Sequence, residues 1–187
     1  MKTRIGIFLM ILLAVPAVLL FNSCSKAKEL TAVDVSMKIP TTHFTYSTGG
    51  IKSSGEVILY SGMVKINLDS ILNYYGFSSG IISNTYFTYL AVTIEQPPTA
   101  TFGWLSSMRA TVSDNQNFQP ENQVGSVTNS DTTARTVVAV LNNVNIRPYL
   151  SKPGFYIRVY GVLRGPLPSA TVGMFLDGTV QFRVEPL

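Results

Sequence analysis

The sequence predicts an all-β fold: an antiparallel β-sandwich, immunoglobulin-like or jelly-roll-like, with about eight strands and one or two short helical turns. Three observations lead there. Apolar residues recur at every second position through much of residues 33–187, the period of a strand with one buried face. Gly, Pro and Asn punctuate these runs at short intervals, with no helical crossover between them. Only two segments read as helix, and both are brief. A lipocalin-like barrel satisfies the same pattern and is the rival architecture.

Taken in order, Val33, Val35, Met37 and Ile39 share one face, with Asp34, Ser36 and Lys38 on the other. In the next run His43 faces away from Phe44 and Tyr46. A shorter strand covers residues 56–60. Residues 68–75 are the best helix, with Asn67 as N-cap and Gly76 as stop. Tyr86, Thr88, Leu90, Val92 and Ile94 alternate with Phe87, Tyr89, Ala91, Thr93 and Glu95. Phe102, Trp104, Ser106, Met108, Ala110 and Val112 make another row. Residues 113–133 are polar and unpatterned, and read as a mobile or binding loop. Residues 135–141 are a strand, and residues 144–150 a short turn broken by Pro148.

Near the C-terminus Phe155, Ile157, Val159, Gly161 and Leu163 alternate with Tyr156, Arg158, Tyr160, Val162 and Arg164. Asp177-Gly178 is a strong hairpin signal. Yet Val172, Met174, Leu176, Val180, Phe182 and Val184 keep one parity straight through it. A two-residue turn would split that apolar row between two faces. The parity favours one long, bent or bulged strand.

Composition limits the chemistry. Charged residues are 13% of the 187-residue chain, against roughly 25% in an average domain. With one His and one Cys, a zinc cluster of several such ligands cannot form, nor can an internal disulfide. Carboxylates are scattered, and no Gly-x-Ser-x-Gly elbow, phosphate-binding loop or calcium loop is present. The expectation is no catalytic residue, no metal, no cofactor and no enzyme. His43 reads as an exposed strand residue.

The N-terminus carries an address. Lys2 and Arg4 precede an uncharged stretch over residues 5–21. Seventeen helical residues reach about 25 Å, short of the ~30 Å hydrocarbon core, and Pro16 interrupts them. This describes an export signal rather than a span. The only cysteine follows at once, in Leu20-Phe21-Asn22-Ser23-Cys24. That run resembles the lipobox of Bacteroidota-type lipoproteins, although Phe21 and Asn22 depart from the usual Leu-Ala/Ser. The resemblance implies cleavage before Cys24, acylation of its thiol and a place in the cell envelope at the outer membrane. Ordinary cleavage after Ser25-Lys26-Ala27 is the alternative. The domains are then a signal at 1–23, a lipidated Cys and polar tether at 24–32, and one sandwich at 33–187. Removing Lys2 and Arg4 lowers the formal charge from +4 to +2, so the pI near 9.2 does not indicate nucleic acid.

Aromatic residues offer the main binding signal. With Leu90, Val92 and Ile94 inward, Phe87 and Tyr89 face outward, as do Tyr156, Arg158 and Tyr160 on a later strand. Flat rings with polar neighbours form a candidate platform for a glycan or a protein partner. The same lipoprotein resemblance implies O-glycosylation at Asp-Ser/Thr motifs, matched at Ser70 and Thr132. The functional expectation is a lipid-anchored, non-enzymatic envelope binding domain, with membrane contact through Cys24. The alternatives are a subunit of a fimbria-like or adhesin assembly and a lipocalin-like carrier of an apolar ligand.

Overall fold

The computed structural model describes residues 32–47, 55–66, 72–76, 80–150 and 154–186. Cys24, Ser70 and residues 68–71 of the expected helix at 68–75 lie outside them, and residues 72–74 are helical. Among the described residues ten strands form: β1 Val33–Lys38, β2 Thr42–Tyr46, β3 Glu56–Lys65, β4 Gly80–Gln96, β5 Leu105–Ser113, β6 Asn122–Thr128, β7 Thr136–Val138, β8 Val140–Leu141, β9 Gly154–Leu163 and β10 Val172–Pro186. Short 3-10 turns occupy Phe102–Trp104 and Arg147–Tyr149.

All pairing is antiparallel, in two sheets. One runs β1-β10-β4-β7, with β2 also beside β10; the other runs β3-β9-β5-β6-β8. Four of the ten strands are the halves of two, β1 with β2 and β7 with β8. β1 and β2 lie end to end on one flank of β10, because β4 fills the other flank. β7 pairs with β4, while β8 pairs with β6, so the chain changes sheets at Ala139. Eight strands remain, and their pairings nest. The β1–β2 strand pairs with β10, β3 with β9, β4 with β7 and β5 with β6. Two sheets built from such nested antiparallel pairs make a jelly roll. The barrel alternative fails because the ladders form two packed sheets and no closed ring.

The core lies between the sheets. Leu90, Val92, Met174, Leu176 and Phe182 from one meet Leu105, Ala110, Phe155 and Ile157 from the other, all buried. Each large apolar side chain contributes about 1.5–3 kcal/mol.

Four expectations change on contact with the structure. The β4 row does not alternate cleanly. Thr179 opposes Tyr89 and Val180 opposes Phe87, leaving Thr88 unopposed in a bulge. The extra residue inverts parity, so Phe87 turns inward at 4% exposure and meets Phe155 edge-on at 5.9 Å. The row from Phe102 begins in a 3-10 turn, and a register shift between Leu105 and Ser107 buries Leu105 with Met108. Residues 135–141 form two short strands. Finally, residues 113–133 contain β6. Their polar side chains bond their own backbone: Ser113 Oγ donates to the Pro120 carbonyl, and the Asn115 amide to that of Gln119.

β10 passes unbroken through Asp177-Gly178, with strict alternation of burial. The dipeptide accommodates a break in the neighbouring strand. Three residues, Ile39-Pro40-Thr41, face two. The Ile39 amide donates to the Gly178 carbonyl at 3.0 Å, and Thr41 Oγ1 to Asp177 Oδ1 at 2.6 Å. A Cβ at Gly178 would stand 2.9 Å from Ile39 Cδ1. Pro40 has no amide hydrogen and is tolerated because this strand is an edge.

The two ends of the sandwich differ. β1 begins at the end where Val33 opposes Val184. At the other end Tyr46 stacks on Trp104, with centroids 6.3 Å apart, just before β5 begins. Glu56, Leu163 and Thr128 lie at this far end, roughly 40 Å along the β1–β2 strand from Val33.

Candidate functional site

The outer face of the β3-β9-β5-β6-β8 sheet carries the richest chemistry. Strand register lays side chains in rows across it. One row runs Glu56, Val162, Ser107 and Thr128. The next runs Ile58, Tyr160, Arg109, Ser126 and Val140. Arg109 donates through Nε and a terminal nitrogen to both Glu56 oxygens, at 2.6 and 2.7 Å, and stands 3.5 Å from Glu121 Oε1. Its guanidinium covers the Tyr160 ring at 3.7 Å, and the Tyr160 hydroxyl donates to Glu121.

This arrangement has electrostatic consequences. Hydrogen bonds from Arg109 hold the Glu56 carboxyl below the usual glutamate range, against a smaller opposing effect of burial. Glu56 in turn raises the Arg109 pKa further. Beside the pair a groove of about 540 Å³ opens over Ser107, Gln123, Ser126 and Thr128. It lies toward the far end, away from Val33.

Below the groove, nearer the β1 end, the connection between β5 and β6 folds onto the sheet. Phe118 is the anchor. Its ring is buried, lies 3.8 Å from the Arg158 guanidinium and meets Tyr156 edge-on at 6.4 Å. Phe118 has φ of 56°, a left-handed conformation that is costly for a side chain of this kind and is held here by ring burial.

The expected platform therefore divides. Tyr156, Arg158 and Tyr160 do face outward, on β9, but Phe118 and Arg109 pack on them. Phe87 is a core residue, and Tyr89 is exposed on the outer face of the opposite sheet. The five residues do not form one surface. His43 is exposed on β2, 3.0 Å from Glu95 Oε2, above a shallow cleft that includes Gly173 and Thr171. Thr132 is exposed in a turn where Asp131 Oδ1 accepts bonds from both the amide and hydroxyl of Thr133. Among the described residues no three His, Cys, Asp or Glu side chains gather.

Sequence inspection missed Glu56, Arg109, Phe118 and Glu121. The available signal was Arg109, a lone charge between Met108 and Ala110 in an apolar strand. Its partners lie 53 and 12 residues away on the chain, and only sheet register brings them together.

No known family matches the sequence, and no curated protein matches it. Among solved structures it is similar to desmodium yellow mottle tymovirus (16% identity, TM-score 0.33, covering 83% of this chain and 88% of that one). It is similar to the decameric BFDV capsid protein (11% identity, TM-score 0.36, covering 81% and 100%). It is also similar to the infectious bursal disease virus VP2 subviral particle (10% identity, TM-score 0.29, covering 83% and 33%). With TM-scores this low, the fold assignment rests on the strand pairing alone.

Proposed function

We propose that this protein is a lipid-anchored, non-enzymatic binding domain of a bacterial cell envelope, tethered at Cys24 and presenting the groove beside Arg109. One observation carries the reading. The chain enters the sandwich at Val33, nine residues after Cys24, and the groove opens toward the opposite end. An anchor at one end and a recess at the other suit display away from a membrane. Two or three acyl chains on Cys24 would make release very slow, since each buried CH₂ adds ~0.8 kcal/mol.

The fimbria-like alternative requires a groove open to a donated strand or a terminal strand free to leave. Here the C-terminal strand β10 has partners on both flanks and sits in the middle of its sheet, while the N-terminal β1–β2 strand is an edge paired to β10 along its length. Metabolic labelling with an alkyne palmitate tests the anchor. Wild-type protein is expected to carry label and sediment with membranes, and Cys24→Ala to lose both. Equal labelling of the two would overturn the proposal. Protease shaving of intact cells then assigns the side of the outer membrane.

A further inference from the structure

We infer that the groove beside Arg109 takes an uncharged, hydroxyl-rich saccharide chain laid across the strands. It is gripped by polar side chains and not stacked on tyrosine. This rests on the proposed role of the groove as the binding surface.

Charge selects the ligand class. One cation, Arg109, and one carboxylate, Glu56, line the groove, and they pair with each other beside Glu121. An anion or a cation entering the groove therefore finds no unpaired charge there. Hydrogen-bonding capacity remains open. The side chains of Ser107, Gln123, Ser126 and Thr128 line the groove and have no hydrogen-bond partner among the described residues. Arg109 has five N–H donors and directs three at carboxylates, which leaves two, and each carboxylate keeps spare lone pairs. Alternating donors and acceptors of this kind match the hydroxyls of a sugar.

Stacking is closed off in the same place. The Tyr160 ring face already carries the Arg109 guanidinium. The size also fits. The row from Glu56 to Thr128 crosses four strands, about 14 Å, the reach of a short oligosaccharide. The recess, at about 540 Å³, is within the range of ligand sites.

The test uses the full chain purified from membranes in detergent. It is titrated with maltohexaose, cellohexaose and xylohexaose, and with hexagalacturonate as an anionic comparator. The expected result is saturable binding of at least one neutral hexaose, insensitive to salt. Ser126→Trp, which fills the groove from the solvent side, should weaken it at least tenfold. The double variant Ser107→Ala/Thr128→Ala should do the same with an unchanged melting temperature, and Tyr156→Ala should leave it unaltered. Absence of binding by all three neutral probes, preference for hexagalacturonate, or affinity that survives Ser126→Trp would overturn the inference. A loss in Tyr156→Ala equal to that in Ser126→Trp would restore stacking and overturn it too. Palmitate labelling of the same membranes scores the anchor separately, so failure of the ligand assignment and failure of the anchor are told apart.

Discussion

Phe87 and Tyr89 are two residues apart on one strand, and simple alternation would give them the same surroundings. The bulge at Thr88 separates them. Phe87→Ala should cost about 3–5 kcal/mol in denaturant unfolding, the range for emptying a buried aromatic site. Tyr89→Ala should stay within about 0.5 kcal/mol. Similar costs for the two would contradict the bulge. Glu56 supplies a second residue-scale prediction. Its folded-state carboxyl titrates below its unfolded value, so the unfolded chain binds more protons near pH 4. The stability it adds is present above the ordinary glutamate range and is lost as pH falls through the depressed value. Because Glu56 is more than a third exposed, the screened pair is worth about 0.2–1 kcal/mol. Glu56→Gln should flatten the acid limb of a melting temperature against pH curve, from the ordinary glutamate range downward. An unchanged slope would remove the pair from the stability account.

Among the elements, β10 shows what periodicity can and cannot reveal. Its parity alone read through a strong hairpin dipeptide, because only an unbroken strand keeps all six apolar side chains on one face. The reason for the glycine was not legible, since it lies in another strand. Gly178 leaves room for Ile39 at the break between β1 and β2. Gly178→Ala should therefore destabilise by about 1–3 kcal/mol, the usual cost of overpacking. Ile39→Val shortens the opposing side chain, so the double variant should cost less than the sum of the singles. Strict additivity in urea unfolding would sink that explanation. The connection before β6 failed in the other direction. Its residues look unpatterned because a bulge at Val124 leaves the two apolar residues of β6, Val124 and Val127, three apart, and its turn is closed by local polar bonds. Apolar periodicity cannot register either device.

For the molecule as a whole, local pattern yielded the two-layer β architecture but not the nesting of its strands. Pairing β3 with β9, or β4 with β7, joins residues far apart in the chain, and a single sequence holds no record of such contacts. The same limit hid the groove. Arg109, Glu56 and Glu121 became a site only in the folded sheet, while Tyr156 and Tyr160, visible from alternation, turned out to be packed against Phe118 and Arg109. The proposed anchor is the reverse case, read entirely from local sequence around Cys24. On that proposal the β1 end of the jelly roll faces the membrane and the groove lies at the other end. The most direct measurement is the intact mass of the protein purified from its native envelope, with its N-terminal peptide sequenced by tandem mass spectrometry. The predicted result is a chain beginning at Cys24 and carrying a diacylglyceryl group, with or without a third acyl chain. A chain that retains Met1, or one that begins after Ala27 without lipid, would contradict the account.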